Sequence, residues 1–199
     1  MNLFYEDYPE TIVVDGQEIR IRTDFREYIR LIDLLRSDEL RDSEKWPFIL
    51  QYFYDYPNNI SGALDALVEF INLDNIFPER TIEDDAVQDD SEEYEFEEET
   101  YQKPLYSFQY DYPYILAGFL CSYGINLRTV PYIHWWEFRL LFDGLPEDTE
   151  IKKMIMYRGI NPSTIKDNEE RKRIIKIQNA IRLPEEATMS DYDIGDAFV

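Results

Sequence analysis

Cys121 and His134 are the two side chains of this sequence that could form a nucleophile and its base. A thiol beside an imidazole is a common arrangement for covalent catalysis, and the two residues fall in neighbouring predicted helices. They are also the only cysteine and the only histidine of the chain. The alternative is a buried thiol and a hydrogen-bonded structural histidine, and this is the interpretation we favour.

Other chemistry has little support from residue types and spacing. A structural zinc site needs several Cys or His side chains, and the seven glycines are scattered rather than gathered in a phosphate-binding loop. Asp191, Asp193 and Asp196 lack the remaining ligands of a calcium loop. Carboxylates are abundant, but acid–base catalysis needs a pair whose environments separate their pKa values. The sequence therefore predicts no enzyme, no metal and no cofactor.

The stretch 132–149 is the most informative part of the chain. It holds two of the three tryptophans, two phenylalanines, a tyrosine and the histidine within about three helical turns, and then reaches Gly144. Tyr and Trp bury large areas, keep a polar end and are enriched at interfaces. Glu137 and Arg139 are either its solvated edge or a buried pair. The candidate contacts for a protein partner are Tyr132, Trp135, Trp136, Phe138 and Met154, with ordinary core packing as the alternative.

Charge limits the classes of partner. The formal net charge is −22 and the sequence pI is about 4.3, so a groove for nucleic acid is not expected. Residues 104–184 carry 9 acidic and 11 basic side chains, whereas residues 185–199 carry 5 acidic and no basic ones. A basic ridge could bind phosphate, form the solvated face of the last helix, or attract the chain's own acidic segments. It consists of Lys166, Arg171, Lys172, Arg173, Lys176 and Arg182.

Compartment is constrained by what the chain lacks. No apolar stretch approaches the roughly 20 residues of a membrane span, and residues 1–7 do not resemble the start of a secretion signal. A single cysteine cannot form an intramolecular disulfide, which fits a reducing cytosol. We therefore expect no membrane partner and a cytoplasmic location.

Apolar spacing and turn residues predict a mainly helical bundle with an N-terminal β-hairpin. Residues 11–21 place β-branched side chains on both sides of Asp15-Gly16, which tolerates the positive φ angles of a tight turn. About seven later stretches show the apolar period of helices. In chain order, we expect these seven helices to start at 23–24, 43, 59–61, Pro113, Pro131, 148–149 and 163–164. We expect them to end, in the same order, near Ser37, at Asp55, before Pro78, at Gly124, at Gly144, after Met156 and at Pro184.

An acidic break divides the predicted helices into two groups. Residues 83–99 hold 11 acidic side chains and no basic one, and like charges at this density oppose compaction. Whether the two groups of helices share one core is open from sequence. We expect a hairpin with helices over 1–80, an acidic disordered linker over 81–105, a helical region packing with the N-terminal half over 106–184, and an acidic tail over 185–199.

Four strings of residues resemble the gene-product-fifteen family of tailed phages of Gram-positive bacteria. The most specific parts are Ile133-His134-Trp135-Trp136-Glu137-Phe138 and Gly144-Leu145-Pro146-Glu147-Asp148-Thr149. Together the strings span nearly the whole chain. The first joins residues 4–9, 14–16 and 23–26, the second joins 111–115 and 123–127, the third runs from 133 to Tyr157-Arg158, and the fourth joins 165–167 and 183–185.

The resemblance implies a role in tail morphogenesis. Genes of this family resemble those of tail assembly chaperones in lying just before the tape-measure gene. Such chaperones keep the amphipathic tape-measure protein soluble, help to recruit tail-tube subunits and are absent from the finished virion. The implied partners are therefore the tape-measure protein and the tail-tube protein, in the host cytoplasm, and self-association into a homo-oligomer is compatible with this role.

Two other functions are compatible with the sequence. The chain could be a structural virion protein at the tail or the head–tail junction. It could also be an acidic DNA mimic that inhibits a host enzyme, which would require carboxylates on a rigid surface at the spacing of phosphates. Analysis of purified particles separates the first from a chaperone, and an ordered region 83–99 would favour the second.

Overall fold

The computed structural model describes residues 2–36, 40–73 and 104–184. Over these residues the fold is mainly helical with one two-stranded antiparallel hairpin, as predicted. The strands are Thr11–Val14 (β1) and Gln17–Arg20 (β2), and the helices are Phe25–Arg36 (α1), Asp42–Ile49 (α2), Ile60–Asn72 (α3), Phe108–Tyr123 (α4), Trp135–Asp143 (α5), Glu150–Gly159 (α6) and Asn168–Ala180 (α7).

The hairpin follows from its turn residues and its alternating side chains. Asp15 and Gly16 have φ angles of 50° and 77°, the left-handed pair that matches the twist of two antiparallel strands. Ile12, Val14 and Ile19 are buried because they lie on one face of the ribbon. This face packs on α3, so the hairpin gains the support that an isolated two-stranded ribbon lacks.

The hydrophobic core lies around α5. Phe138 is fully buried and stacks on Phe25 of α1, with ring centroids 4.7 Å apart. It also stacks on Phe119 of α4 at 5.2 Å. Since α1 precedes the acidic stretch and α4 follows it, residues from both sides of that stretch contribute to one hydrophobic cluster.

Three predicted helix starts were wrong. Helix α4 begins at Phe108, so Pro113 lies inside it rather than at its first position. Proline cannot donate a backbone bond to the carbonyl four residues earlier, here that of Gln109, whose side of the helix is exposed. The helix starts early because the Asp111 carboxylate accepts from the N–H of Ser107 at 3.0 Å, which occupies a donor at the helix start.

The starts of α5 and α7 are set by stronger caps further along the chain. His134 rather than Pro131 caps α5, because its ring accepts from the N–H of Trp136 at 3.1 Å. Asp167 caps α7 by accepting from the N–H groups of Glu169 and Glu170. The residues predicted to begin α7 instead form a 3₁₀ turn over Pro162–Thr164.

Some helix ends also differ from the prediction. Helix α2 stops at Ile49 and continues as a 3₁₀ turn over Leu50–Tyr52, so it ends before Asp55. Helix α7 ends at Ala180, before Pro184. Gly124 does close α4 with a left-handed φ of 69°, as predicted from its position after the apolar run.

Several expectations lie outside the described residues. These are the end of the first helix near Ser37, the acidic linker except for Pro104 and Leu105, and the tail 185–199. The DNA-mimic hypothesis depends on carboxylates of 83–99, which are outside the described residues as well. The four-part division of the chain stays a prediction. Among the described helices, none has the length and apolar character needed to span a membrane.

Candidate partner-binding surface

The five predicted contact residues fall into two groups. Trp135, Trp136 and Phe138 are at most 1 % exposed, so in this conformation they offer no surface to a partner and belong to the core. Tyr132 is 51 % exposed and Met154 is partly buried. The burial of the first three has a simple cause: α1, α3 and α4 surround the start of α5.

The two tryptophans join the start of α5 to the end of α3. The Trp135 indole Nε1–H donates to the carbonyl of Ile71 at 3.0 Å, and that of Trp136 donates to the carbonyl of Phe70 at 2.8 Å. Carbonyls in the last turn of a helix have no partner within the helix. The indoles therefore donate to two carbonyls at the end of α3, of which that of Phe70 also accepts from the Leu73 N–H at 3.4 Å, and they fix the α3–α5 arrangement through the same side chains that fill the core.

His134 is a structural residue with both ring nitrogens engaged. Its Nδ1 accepts from the Trp136 N–H, so its proton lies on Nε2, which donates to the carbonyl of Pro9 at 3.0 Å. The ring stacks on Tyr8 at 4.7 Å. Cys121 is exposed on α4, so the expectation of a buried thiol was wrong, whereas the expectation of a hydrogen-bonded histidine was confirmed.

The environment of His134 predicts a pH dependence of stability. Burial lowers the pKa of His134 below its ordinary value of 6.5, while the Pro9 carbonyl and Glu10 oppose this effect. The unfolded chain therefore binds a proton at a higher pH than the folded one. The stability associated with neutral His134 is present above about pH 6.5 and is lost as the pH falls through the lowered pKa. Protonation would also put a hydrogen on Nδ1, which could then no longer accept from the Trp136 N–H.

The matched variant for this prediction is His134→Asn. The asparagine oxygen can keep the cap on α5, while the titrating ring is removed. Urea unfolding should show that the wild type loses more unfolding free energy than the variant between pH 7.5 and pH 5.0. The difference in unfolding free energy between the two proteins should therefore be smaller at pH 5.0. Equal losses in both would contradict the assignment, because the many carboxylates are common to both.

Glu137 and Arg139 lie at the edge of the aromatic core. Both are partly buried, and the Arg139 guanidinium lies over the Trp135 ring, 5.5 Å from its centroid. A cation over an indole face is stabilised by the negative potential of the ring. Arg139 thus contributes to the complete burial of Trp135.

The outer face of α4 is a surface of the C-terminal half without charged side chains. We define this outer face as the exposed residues Gln109, Pro113, Tyr114, Ala117, Leu120 and Cys121, which lie within one arc of the helix.

The outer face of α4 exposes large apolar side chains. Leu120 is 53 % exposed and Tyr114 is 43 % exposed, and Tyr112 beside them is exposed as well. The only charged residue of the helix, Asp111, points inward and is buried. A contiguous exposed apolar surface is typical of an interaction site, and its lack of charge contrasts with a chain of net charge −22.

A buried ion pair fixes the start of α4 beneath this face. The Arg158 guanidinium of α6 binds the Asp111 carboxylate through two bonds of 2.6 Å and 2.9 Å. Arg158 also donates to the carbonyls of Leu105 and Ile181, so one side chain connects α4, α6 and the residue after α7. Sequence reasoning missed this pair, although both residues lie in the family-like strings around 111–115 and Tyr157-Arg158.

The described residues give no metal centre. No group of three or more His, Cys, Asp or Glu side chains within 2–36, 40–73 and 104–184 is placed to hold an ion. The buried polar groups of the site, Asp111, His134 and Ser107, have hydrogen-bond partners. What the arrangement presents to its surroundings is therefore a shaped apolar surface on a tightly fixed helix.

Comparison with known proteins identifies the family. No curated protein and no solved structure matches the chain. The family model described as Bacteriophage Gp15 protein matches residues 5–183, which includes every described helix. This is a family of phage structure and morphogenesis. Because the match covers most of the 199 residues, the chain belongs to the Bacteriophage Gp15 protein family.

Proposed function

We propose that this protein is a tail assembly chaperone that binds the phage tape-measure protein in the host cytoplasm and keeps it soluble until tail-tube subunits arrive. The observation that carries the proposal is the outer face of α4. An amphipathic helix is recognised through its apolar stripe, which repeats every three to four residues. A second helix with an uncharged outer surface is a suitable partner for such a stripe.

The dimensions of α4 support this role. Its 16 residues give a length of about 24 Å, enough to contact four turns of an amphipathic partner. Ala117 and Cys121 are small and stand four residues apart on the outer face, so a partner helix can approach closely there. Tyr114 and Leu120 flank them and add apolar area at the edges of the contact.

The charge of the whole chain supports a soluble complex. Once the outer face is covered, the chain still carries its net charge of −22, and like-charged complexes repel one another. A chaperone needs this combination, since its client would otherwise aggregate through exposed apolar stripes. The contact roles of Tyr132 and Met154 remain part of the proposal, because both keep accessible surface.

The proposal is tested by capture of the tape-measure protein with Leu120→Glu and a matched control. Leu120→Glu should weaken capture of co-expressed tape-measure fragments about tenfold or more, because one unpaired carboxylate in an apolar contact costs at least about 1.4 kcal/mol. Val13→Glu adds the same charge at an exposed apolar residue of the hairpin and should leave capture unchanged. Both proteins should retain normal stability.

Two outcomes would contradict the proposal. If tape-measure fragments stay insoluble when they are co-expressed with the wild type, the chaperone role fails. If Leu120→Glu captures the fragments as well as the wild type and Val13→Glu do, the part of the proposal that places the binding site on the outer face of α4 fails. Mass spectrometry of purified virions is the parallel measurement, because presence at fixed stoichiometry would identify a structural virion protein instead.

A further inference from the structure

Helix α7 has the largest share of exposed residues among the helices of the C-terminal half. It packs on α6 and on the 3₁₀ turn at Pro162–Thr164, and Ile174 is its only buried residue. Its position is fixed mainly by polar contacts, in which the Gln178 side chain donates to the carbonyls of Tyr157 and Ile160. Most of its circumference therefore faces solvent.

The exposed side of α7 combines positive charge with an apolar centre. Residues 171–184 include five basic side chains and no acidic one, while Glu169 and Glu170 lie in the first turn of α7 and the Glu169 carboxylate pairs with Lys172 at 2.9 Å. Ile175 is 41 % exposed and has Lys172 three residues before it and Lys176 directly after it. We call this surface the basic face of α7, consisting of Lys172, Arg173, Ile175 and Lys176.

The sequence that follows has the complementary composition. Residues 185–199 carry five acidic side chains and no basic one, and they include Tyr192, Ile194 and Phe198. These 15 residues follow directly on Pro184, four residues beyond the end of α7. Extended, they reach up to about 50 Å, whereas α7 is about 20 Å long. The tail can therefore turn back along the whole helix.

We propose that the basic face of α7 is the docking site of the chain's own acidic tail, residues 185–199. Its carboxylates would pair with Arg173 and Lys176 and would share Lys172 with Glu169, and one apolar side chain of the tail would cover Ile175. The covalent connection favours this occupant, since a short tether gives an effective concentration of about the millimolar range. A free polyanion would have to displace attached carboxylates and approach a chain of net charge −22.

The first test follows the mobility of the tail in the full chain. Cys121→Ser removes the only thiol, and Ala197→Cys then gives a single site for a spin label. We expect a motionally restricted label at low salt and loss of that restriction in Lys172→Glu/Lys176→Glu. The restriction should also be lost at about 0.5 M salt, where the Debye length falls to roughly 4 Å.

The matched control reverses two exposed charges elsewhere. Arg30→Glu/Arg128→Glu makes the same change in net charge at exposed residues outside α7 and should leave the label restricted. Ile175→Ser tests the apolar contact without a change in charge and should partly release the label. A label equally mobile in the parent and in Lys172→Glu/Lys176→Glu, or released equally by the control pair, would overturn the proposal.

A second measurement identifies where the tail binds. Carbodiimide links carboxylates to nearby amines without a spacer, so the parent chain should give links from tail carboxylates to Lys172 or Lys176 within one molecule. Links to lysines outside α7, or products with the mass of two chains, would overturn intramolecular docking. A tail that is linked to nothing would overturn it as well, since the lysines of the basic face are exposed.

Discussion

Arg158→Met should lower the free energy of unfolding by about 3–5 kcal/mol, because it leaves the buried carboxylate of Asp111 without its counter-charge. The guanidinium is 9 % exposed and the carboxylate 3 % exposed, so water cannot replace the lost partner. The same substitution removes the donors to the carbonyls of Leu105 and Ile181. Urea unfolding at pH 7.5 measures the effect directly.

A double-mutant cycle separates the pair from the unpaired charge. Asp111→Leu/Arg158→Met removes both charges, and it should recover part of the stability that Arg158→Met loses. Arg128→Met is the matched control, since Arg128 is exposed and its loss should change stability by less than about 0.5 kcal/mol. A double variant that is less stable than Arg158→Met would show that the bond from the Ser107 N–H to the Asp111 carboxylate stabilises the fold by more than the unpaired charge destabilises it.

Trp136→Ala should cost about 3–5 kcal/mol of unfolding free energy, the range for a large aromatic side chain removed from a packed core. Trp136 is 1 % exposed, and its ring contacts that of Phe70 with centroids 5.3 Å apart. Its indole N–H donates to the carbonyl of Phe70 in the last turn of α3. Thermal or urea unfolding gives the value. Near-normal stability with weaker partner capture would instead restore Trp136 as an exposed contact.

Two further variants resolve the origin of that cost. Trp136→Phe keeps an aromatic ring but removes the indole N–H, and because the Phe70 carbonyl still accepts from the Leu73 N–H at 3.4 Å, the lost hydrogen bond should cost about 0.5–1.5 kcal/mol. Tyr132→Ala serves as the control, because Tyr132 is half exposed and should lose less stability than Trp136→Ala. If Trp136→Phe is as stable as the wild type, the hydrogen bond contributes nothing measurable.

The sequence predicted elements whose signals are local. The hairpin follows from Asp15-Gly16 between β-branched runs, and the start of α3 follows from Asn59, whose side chain accepts from the N–H of Gly62. The end of α4 at Gly124 is of the same kind. Each depends on residues within a few positions of one another, and the packing of the core agrees with these local signals.

Helix starts that depend on competing caps were harder to predict. Pro113 and Pro131 are strong local signals for a first helical residue, yet Asp111 and His134 determine where α4 and α5 begin. Asp111 is effective because Arg158, 47 residues later in the sequence, holds its carboxylate in place. Such a contact has no signature in local spacing.

The candidate surface could be predicted only in part, and for a related reason. The aromatic run around Trp135 and Trp136 was recognised, but the same composition suits a core and an interface, and only the packing of α1, α3 and α4 decides between them. The outer face of α4 was not recognised at all. The polar residues of α4, Gln109, Asp111 and Ser122, are spread around the helix, so no polar stripe shows which face is exposed.

The stacking of Phe138 between Phe25 and Phe119 has a consequence for the order of synthesis. Helices α1 and α3 leave the ribosome well before α5, which supplies the centre of their shared core. About 70 residues separate Leu73 from Phe142, and at about 5–20 residues per second their translation takes roughly 3–14 s. During this interval α1 and α3 can pack on the hairpin and on α2, but they lack the part of the core that α4 and α5 supply. The segment made in that interval includes residues 81–103, with 11 acidic side chains and one basic, and like charges at this density oppose close contact between two incomplete chains.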